Sequence, residues 1–124
     1  MSGVEHTGQD ERTLLEVVLR VHGDFRRRLA PIGVTPLQAG VILYLHRHPD
    51  AKMKDTAAAL GVQPPTLTVV IDDLVRKRWL TRRRALHDDR ALCLRLNRQG
   101  EVVAEKIKNH VRDVRSNLTS MKEA

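Results

Sequence analysis

Three observations predict a mainly α-helical chain with one small β-hairpin. Apolar residues recur at helical spacing near both ends, and Gly61 separates a short alanine-rich stretch from a second helical pattern. Two strand-like runs bracket the turn His87-Asp88-Asp89-Arg90. A length of 124 residues makes residues 1–124 a single domain that can bury roughly two-thirds of its unfolded surface. Phe25, Tyr44 and Trp79 are the only aromatics, so the core must come from Leu, Val, Ile and Ala, which suits closely packed helices.

Taken in order, Leu14, Val18, Val21, Phe25 and Leu29 mark an amphipathic helix from Gln9 to Ala30, stopped by Pro31 and Gly33. Thr35-Pro36-Leu37-Gln38 is a capping box with proline at the first helical position. It opens a helix through Val41, Leu43 and Leu45 towards His48-Pro49. Asp55 to Leu60 reads as a short helix broken by Gly61. Gln63-Pro64-Pro65 then opens another through Leu67, Val70, Ile71 and Leu74, and the pair makes a helix-turn-helix. Leu80–Leu86 and Ala91–Leu96 read as strands, the second with Leu92, Leu94 and Leu96 on one face and Cys93 and Arg95 on the other. Asn97 caps a last helix whose Ile107, Val111, Val114, Leu118 and Met121 form a seam suited to lengthwise packing.

Charge is concentrated in one place. Between Arg76 and Arg98 nine Lys/Arg face two Asp, which equals the net +7 of the whole chain. A localised basic hairpin is a footprint for a polyanion, because Lys and Arg displace condensed counterions from phosphates. The competing reading is a solvated basic edge that only protects a sheet from aggregation.

Other chemistries find little support. The chain offers no nucleophile with a nearby base, no carboxylate pair at a usable spacing, and no phosphate-cradling glycine loop, so neither an enzyme nor a cofactor is expected. His46-x-His48 and the isolated His22, His87 and His110, even joined by Asp24 or Asp50, do not have the spacing of a metal site, and no metal is expected. The single Cys93 excludes an internal disulfide framework and suits a reducing compartment; it reads as a small strand residue. The first residues are polar and no apolar run approaches about twenty residues. A cytoplasmic protein without membrane contact is expected.

The order of a helix-turn-helix and a basic hairpin between long terminal helices resembles the MarR-type winged-helix transcription regulators. GVTPLQAGVILYL is similar to that family's second helix, AAALGVQPPTLTVVIDDLVRKRWLTR to its helix-turn-helix, and DDRALCLRLNRQG to its wing and last helix, together covering residues 33 to 100. The resemblance implies a winged helix-turn-helix flanked by long dimerisation helices, with residues 1–32 and 98–124 making a homodimer and residues 33–97 a DNA-binding lobe. It further implies pseudo-palindromic double-stranded DNA as partner and a repressor released by a small-molecule effector.

Site residues follow from the resemblance and from their chemistry. Gln63, Pro64, Pro65, Thr66, Thr68 and Val69, with Asp72, lie on the first turns of the recognition helix, the end that normally meets base edges. Gln63 can pair with adenine, the threonines can bond bases or phosphates, and Val69 can touch a thymine methyl. Arg82, Arg83 and Arg84 point to alternating faces; Arg82 is expected to pair with Asp72 or a wing carboxylate, and Arg83 or Arg84 to contact phosphate. Asp88 and Arg90 match the family's wing-tip pair, and an arginine on a protruding loop suits the negative potential of a narrow minor groove. Val18, His22, Phe25, Leu37, Val41 and Tyr44 are expected walls of an effector pocket, and serve equally well as plain core.

Four positions depart from the family pattern. Val69 stands where an arginine is usual, Arg78 where a glycine closes the recognition helix, and Thr56 where a leucine is usual. The chain also ends at Ala124, soon after its last helix, which predicts a smaller dimer interface. Val69 in particular favours an alternative, a winged helix that acts as an architectural or protein-interaction module with weak sequence preference.

Overall fold

The computed structural model describes residues 3–85 and 88–123, with side chains from 13 to 84 and from 91 to 119. Helix α1 (Gly3–Leu29) starts earlier than the apolar spacing predicts and runs into a 3-10 turn at Ala30–Ile32. Gly33, at φ 90°, closes it by donating its N–H to Leu29 and Ala30.

Helix α2 (Pro36–Arg47) carries the predicted capping box in full. The Gln38 N–H donates to Thr35 Oγ1 at 3.1 Å, and Gln38 Oε1 accepts from the Thr35 N–H at 3.0 Å. After Asp50, which sits at φ 64°, the chain forms a strand the sequence reading lacks, β1 (Ala51–Lys52). Two residues carry no periodicity, and only pairing with a distant partner makes them a strand.

Helix α3 (Met53–Leu60) begins two residues ahead of the expected Asp55. Thr56 is completely buried there, and its hydroxyl donates to the Lys52 carbonyl at 2.9 Å, so the polar replacement in the core keeps a partner. Gly61, at φ 65°, turns the chain into α4 (Pro64–Arg76), whose Leu67, Val70, Ile71 and Leu74 are buried.

The end of α4 is closed without glycine. Arg78 at φ 64° donates its N–H to Val75, and Trp79 donates to Leu74, the two bonds of a Schellman turn. An L-residue there is strained by about 1–2 kcal/mol, against which glycine loses about 0.5–1 kcal/mol of chain entropy. Arg78→Gly is therefore expected to stabilise the fold by about 0.5–1 kcal/mol, read as a higher midpoint in urea at unchanged slope. A lower midpoint would mean that the arginine side chain supplies more than the strain removes.

Strands β2 (Leu80–Ala85) and β3 (Asp88–Leu96) form the hairpin, and with β1 they make an antiparallel sheet of order β1-β3-β2. β3 begins at Asp88 instead of Ala91, and the register shifts between Arg84 and Ala85. The expected strand end at Leu86 and the turn residue His87 lie outside the described residues. Leu94 and Leu96 lie in the core as their alternation requires, whereas Leu92, two residues earlier on the same strand, is exposed.

Helix α5 (Arg98–Glu123) is capped by Asn97, whose side chain accepts the Gly100 N–H at 2.9 Å. Its Val103, Ala104, Ile107 and Val114 are buried within the same chain. The long apolar seams expected to face a partner are thus divided. Ile107 and Val114 serve the protomer's own core, while Leu14, Val18 and Leu118 remain exposed. Among the described residues no single helix is long and apolar enough to cross a membrane.

Candidate nucleic-acid interface

Helix α4 has two unlike faces. Leu67, Val70, Ile71 and Leu74 pack into the core, which turns Gln63, Pro64, Pro65, Thr66, Thr68 and Val69 outward. Val69 is 69% exposed, a large aliphatic side chain with no intramolecular reason to be there. Thr68 donates its hydroxyl to the Pro64 carbonyl at 3.0 Å, so one of the two candidate threonines has its proton engaged within the helix. Pro64 at the first helical position removes an N–H that would otherwise lack a partner.

A polar network holds the far end of this helix. Asp73 Oδ2 accepts from Gln38 Nε2 at 2.6 Å and faces Lys77 Nζ at 3.2 Å, while Lys77 also donates to the Gly33 carbonyl. Lys77 lies 5.3 Å from the Trp79 ring centroid. Gln38 therefore caps α2 and anchors α4 at once, which locks the angle between the two helices.

On the hairpin the three consecutive arginines separate as strand geometry demands. Arg82 pairs with Asp72 of α4 at 2.5 Å, the first of the two partners, Asp72 or a wing carboxylate, that the family resemblance implies. This ties the wing to the recognition helix. Arg83 lies on the opposite face, where its Nη2 donates to Asp50 Oδ1 at 3.2 Å. Arg95 from β3 grips the same carboxylate with two bonds, Nε to Oδ1 at 3.1 Å and Nη2 to Oδ2 at 2.7 Å. Hydrogen bonding by Arg95 is the main effect that holds the Asp50 carboxyl below its ordinary 3.8; burial opposes it, and Arg83 adds a smaller lowering. A depressed carboxyl contributes its stabilisation fully at neutral pH and loses it only as pH falls below about 4. Arg84 is exposed and is also engaged in an interaction within the chain. The side chains of Asp88 and Arg90 lie outside the described residues; their backbone forms the start of β3.

The six expected pocket residues are not all on one surface. Val41 is fully buried, Phe25, Leu37 and Tyr44 pack partly against the core, and Val18 and His22 are exposed on α1. An open cleft of about 410 Å³ lies between α1 and α5, lined by Leu19, Arg20, Gly23, Asp24, Arg27 and Asn117, none of them among the six. His46 and His48 have other partners. His46 Nδ1 lies 2.5 Å from Glu101 Oε2, and His48 stacks on Tyr44 with centroids 4.4 Å apart. Among the described residues no three His, Cys, Asp or Glu are placed to hold a metal ion. Cys93 is half-buried on the outer sheet face, paired in register with Lys52 and Arg83.

Two elements of this surface escape sequence reasoning. Asp50 reaches Arg83 and Arg95 across 33 and 45 residues, and Gln38 reaches Asp73 across 35. Only the positions of Asp50, just after Pro49, and of Gln38, in its capping box, hint at a structural duty.

Comparison with known proteins agrees with this geometry. The model of the MarR family matches residues 32–91. The HTH-type transcriptional repressor MdtR of Bacillus subtilis (strain 168) is 31% identical over 75 residues, which is 60% of this chain and 48% of that protein. The match thus spans about half the length of that relative. Among solved structures, the transcriptional repressor CouR bound to a 23-mer DNA duplex is 29% identical, with a TM-score of 0.76 over 90% of this chain and 87% of CouR. The S. aureus MepR–DNA complex superposes with a TM-score of 0.83 at 20% identity, over 90% of this chain and 82% of MepR, which supports the fold alone. A helix-turn-helix with a three-stranded wing, the motifs of residues 33 to 100 and these matches together establish that the chain belongs to the MarR family.

Proposed function

We propose that the protein is a sequence-specific, DNA-binding transcription regulator, a repressor that acts as a homodimer in the cytoplasm and is released by a small molecule. The observation that carries this reading is the outward face of α4 beside a basic hairpin. Six residues from Gln63 to Val69 stand free of the core at the end of the helix that meets base edges in helix-turn-helix proteins. CouR, with the same fold, binds a DNA duplex, and MdtR is described as a transcriptional repressor; both are regulators rather than enzymes.

In this reading Gln63 reads adenine, Thr66, Pro64 and Pro65 approach the groove wall, and Thr68 presents its methyl and lone pairs. Arg83 and Arg84 contact phosphates, and Arg90, oriented by Asp88, enters the adjacent minor groove. The apolar stripe Leu14, Leu15, Val18 and Leu19 on α1, with Leu118 on α5, is the surface a second copy covers. The effector enters between the dimerisation helices and the DNA-binding lobe, where Phe25, Leu37 and Tyr44 sit at the edge of the core with Val18, His22 and Val41 nearby in sequence.

Exposed Val69 favours a second reading, an architectural or protein-interaction module, because an isopropyl group offers no donor to a base edge. Binding-site selection separates the two. A regulator is expected to enrich an A/T-leaning motif of two inverted half-sites about one helical turn apart, and Val69→Arg to shift that motif towards guanine. Identical motifs for both proteins would mean that residue 69 does not face the bases. No enriched motif for wild type would establish the architectural reading.

A further inference from the structure

Asp50 is the unexplained residue of this surface. It occupies the left-handed region at φ 64°, where glycine and asparagine are usual, in the loop between α2 and β1. Strain of this kind persists where a side chain must be aimed, and the Asp50 carboxylate is aimed at the outer face of the wing. Its two oxygens are divided unequally. Arg95 takes two bonds in a fork, whereas Arg83 takes one, through Nη2, and its side chain stays 61% exposed. A guanidinium has five N–H donors, so Arg83 keeps most of them for another acceptor.

We propose that Asp50 is a positioning residue of the wing. It fixes β3 through Arg95 and holds the Arg83 guanidinium ready for a phosphate. The inference rests on the DNA-binding reading above and adds to it the residue that organises the backbone contact. An arginine side chain loses considerable rotamer freedom when it is immobilised on a ligand, and a carboxylate that has already restricted it removes part of that cost. The opposing effect is the negative charge itself, which repels phosphate. A phosphate on the same guanidinium would lie within the screening length of about 8 Å, so salt weakens this repulsion without removing it, and the proposal is that orientation outweighs it. The two effects have opposite signs on mutation, which makes the proposal testable.

Asparagine tolerates the left-handed backbone, so Asp50→Asn keeps the loop and removes the charge-assisted bonds. The probe is a duplex recovered by selection with the wild-type protein, titrated at several salt concentrations against wild type, Asp50→Asn, Arg83→Ala and the double variant, each confirmed as folded by circular dichroism. Asp50→Asn is expected to weaken binding about tenfold. It should also flatten the salt dependence by about one unit of slope, as Arg83→Ala does, with no further loss in the double variant. Equal or tighter binding by Asp50→Asn with a steeper salt slope would show that the residue acts only as a charge, and overturn the proposal. Additive losses would also overturn it, because Asp50 would then act otherwise than through Arg83. A wild-type protein that retains no duplex at all overturns the DNA-binding reading and this inference together.

Discussion

Gly100→Ala is expected to destabilise the protein by about 3 kcal/mol or more and to lower its melting temperature by about 10 °C at fixed protein concentration. Gly100 lies in the first turn of α5, where a Cβ would overlap the Trp79 carbonyl oxygen and approach Leu96 Cβ to 3.2 Å. The obstacle is backbone, which cannot rotate away. That carbonyl already accepts the Asn97 N–H at 3.0 Å, while Asn97 caps α5 through the same Gly100. Trp79 in turn follows the strained Arg78, so displacement of its peptide disturbs the closure of α4 as well. Gly40→Ala provides the control: its Cβ would meet only Leu60 Cδ2, at 4.0 Å, and alanine is the better helix former. Thermal denaturation of the two variants decides the matter. A Gly100→Ala melt matching wild type would mean that α5 can shift on the wing without loss.

The double variant Leu15→Glu/Val18→Glu is expected to be a folded monomer that binds operator DNA at least about 100-fold more weakly. Leu15 is 58% and Val18 52% exposed in the protomer, so charge placed there leaves the intramolecular core intact. In the proposed dimer the same positions are buried against a second copy, and two opposed glutamates at each would have to be desolvated. Dimerisation places two recognition helices on two half-sites, and its loss turns an intramolecular second contact into a separate binding event. Light scattering and duplex titration read both consequences. A variant that remains dimeric would place the interface elsewhere on the molecule. Deleting α5 would be a poorer test, because Val103, Ala104 and Ile107 belong to the protomer's own core.

Local signals in the sequence were strong enough to place most elements. The capping box at Thr35 and Gln38, the glycine after Leu60, the prolines after Gln63 and the asparagine before α5 all act through bonds within a few residues, so their outcome is nearly independent of the rest of the chain. Alternation placed Leu94 and Leu96 in the core, and spacing placed Leu67, Val70, Ile71 and Leu74 there. The outward face of α4, and with it the candidate base-reading residues, follows by elimination.

Apolar periodicity alone could not divide the terminal helices between core and partner. Val114 and Leu118 lie on one seam, yet the first is 4% exposed and the second 37%. β1, the Asp50 clamp and the contact of Gly100 with Trp79 were equally illegible, and for one reason. Each is defined by a partner far away in the chain, and each is held by only a few atoms. The sequence by itself determined the helices, their caps, the basic hairpin and the family, since these depend on short-range bonds and on the period of apolar residues. Only the tertiary structure decided which arginines are already paired, which glycine touches backbone and which leucines remain uncovered, because those depend on where separate elements meet in space.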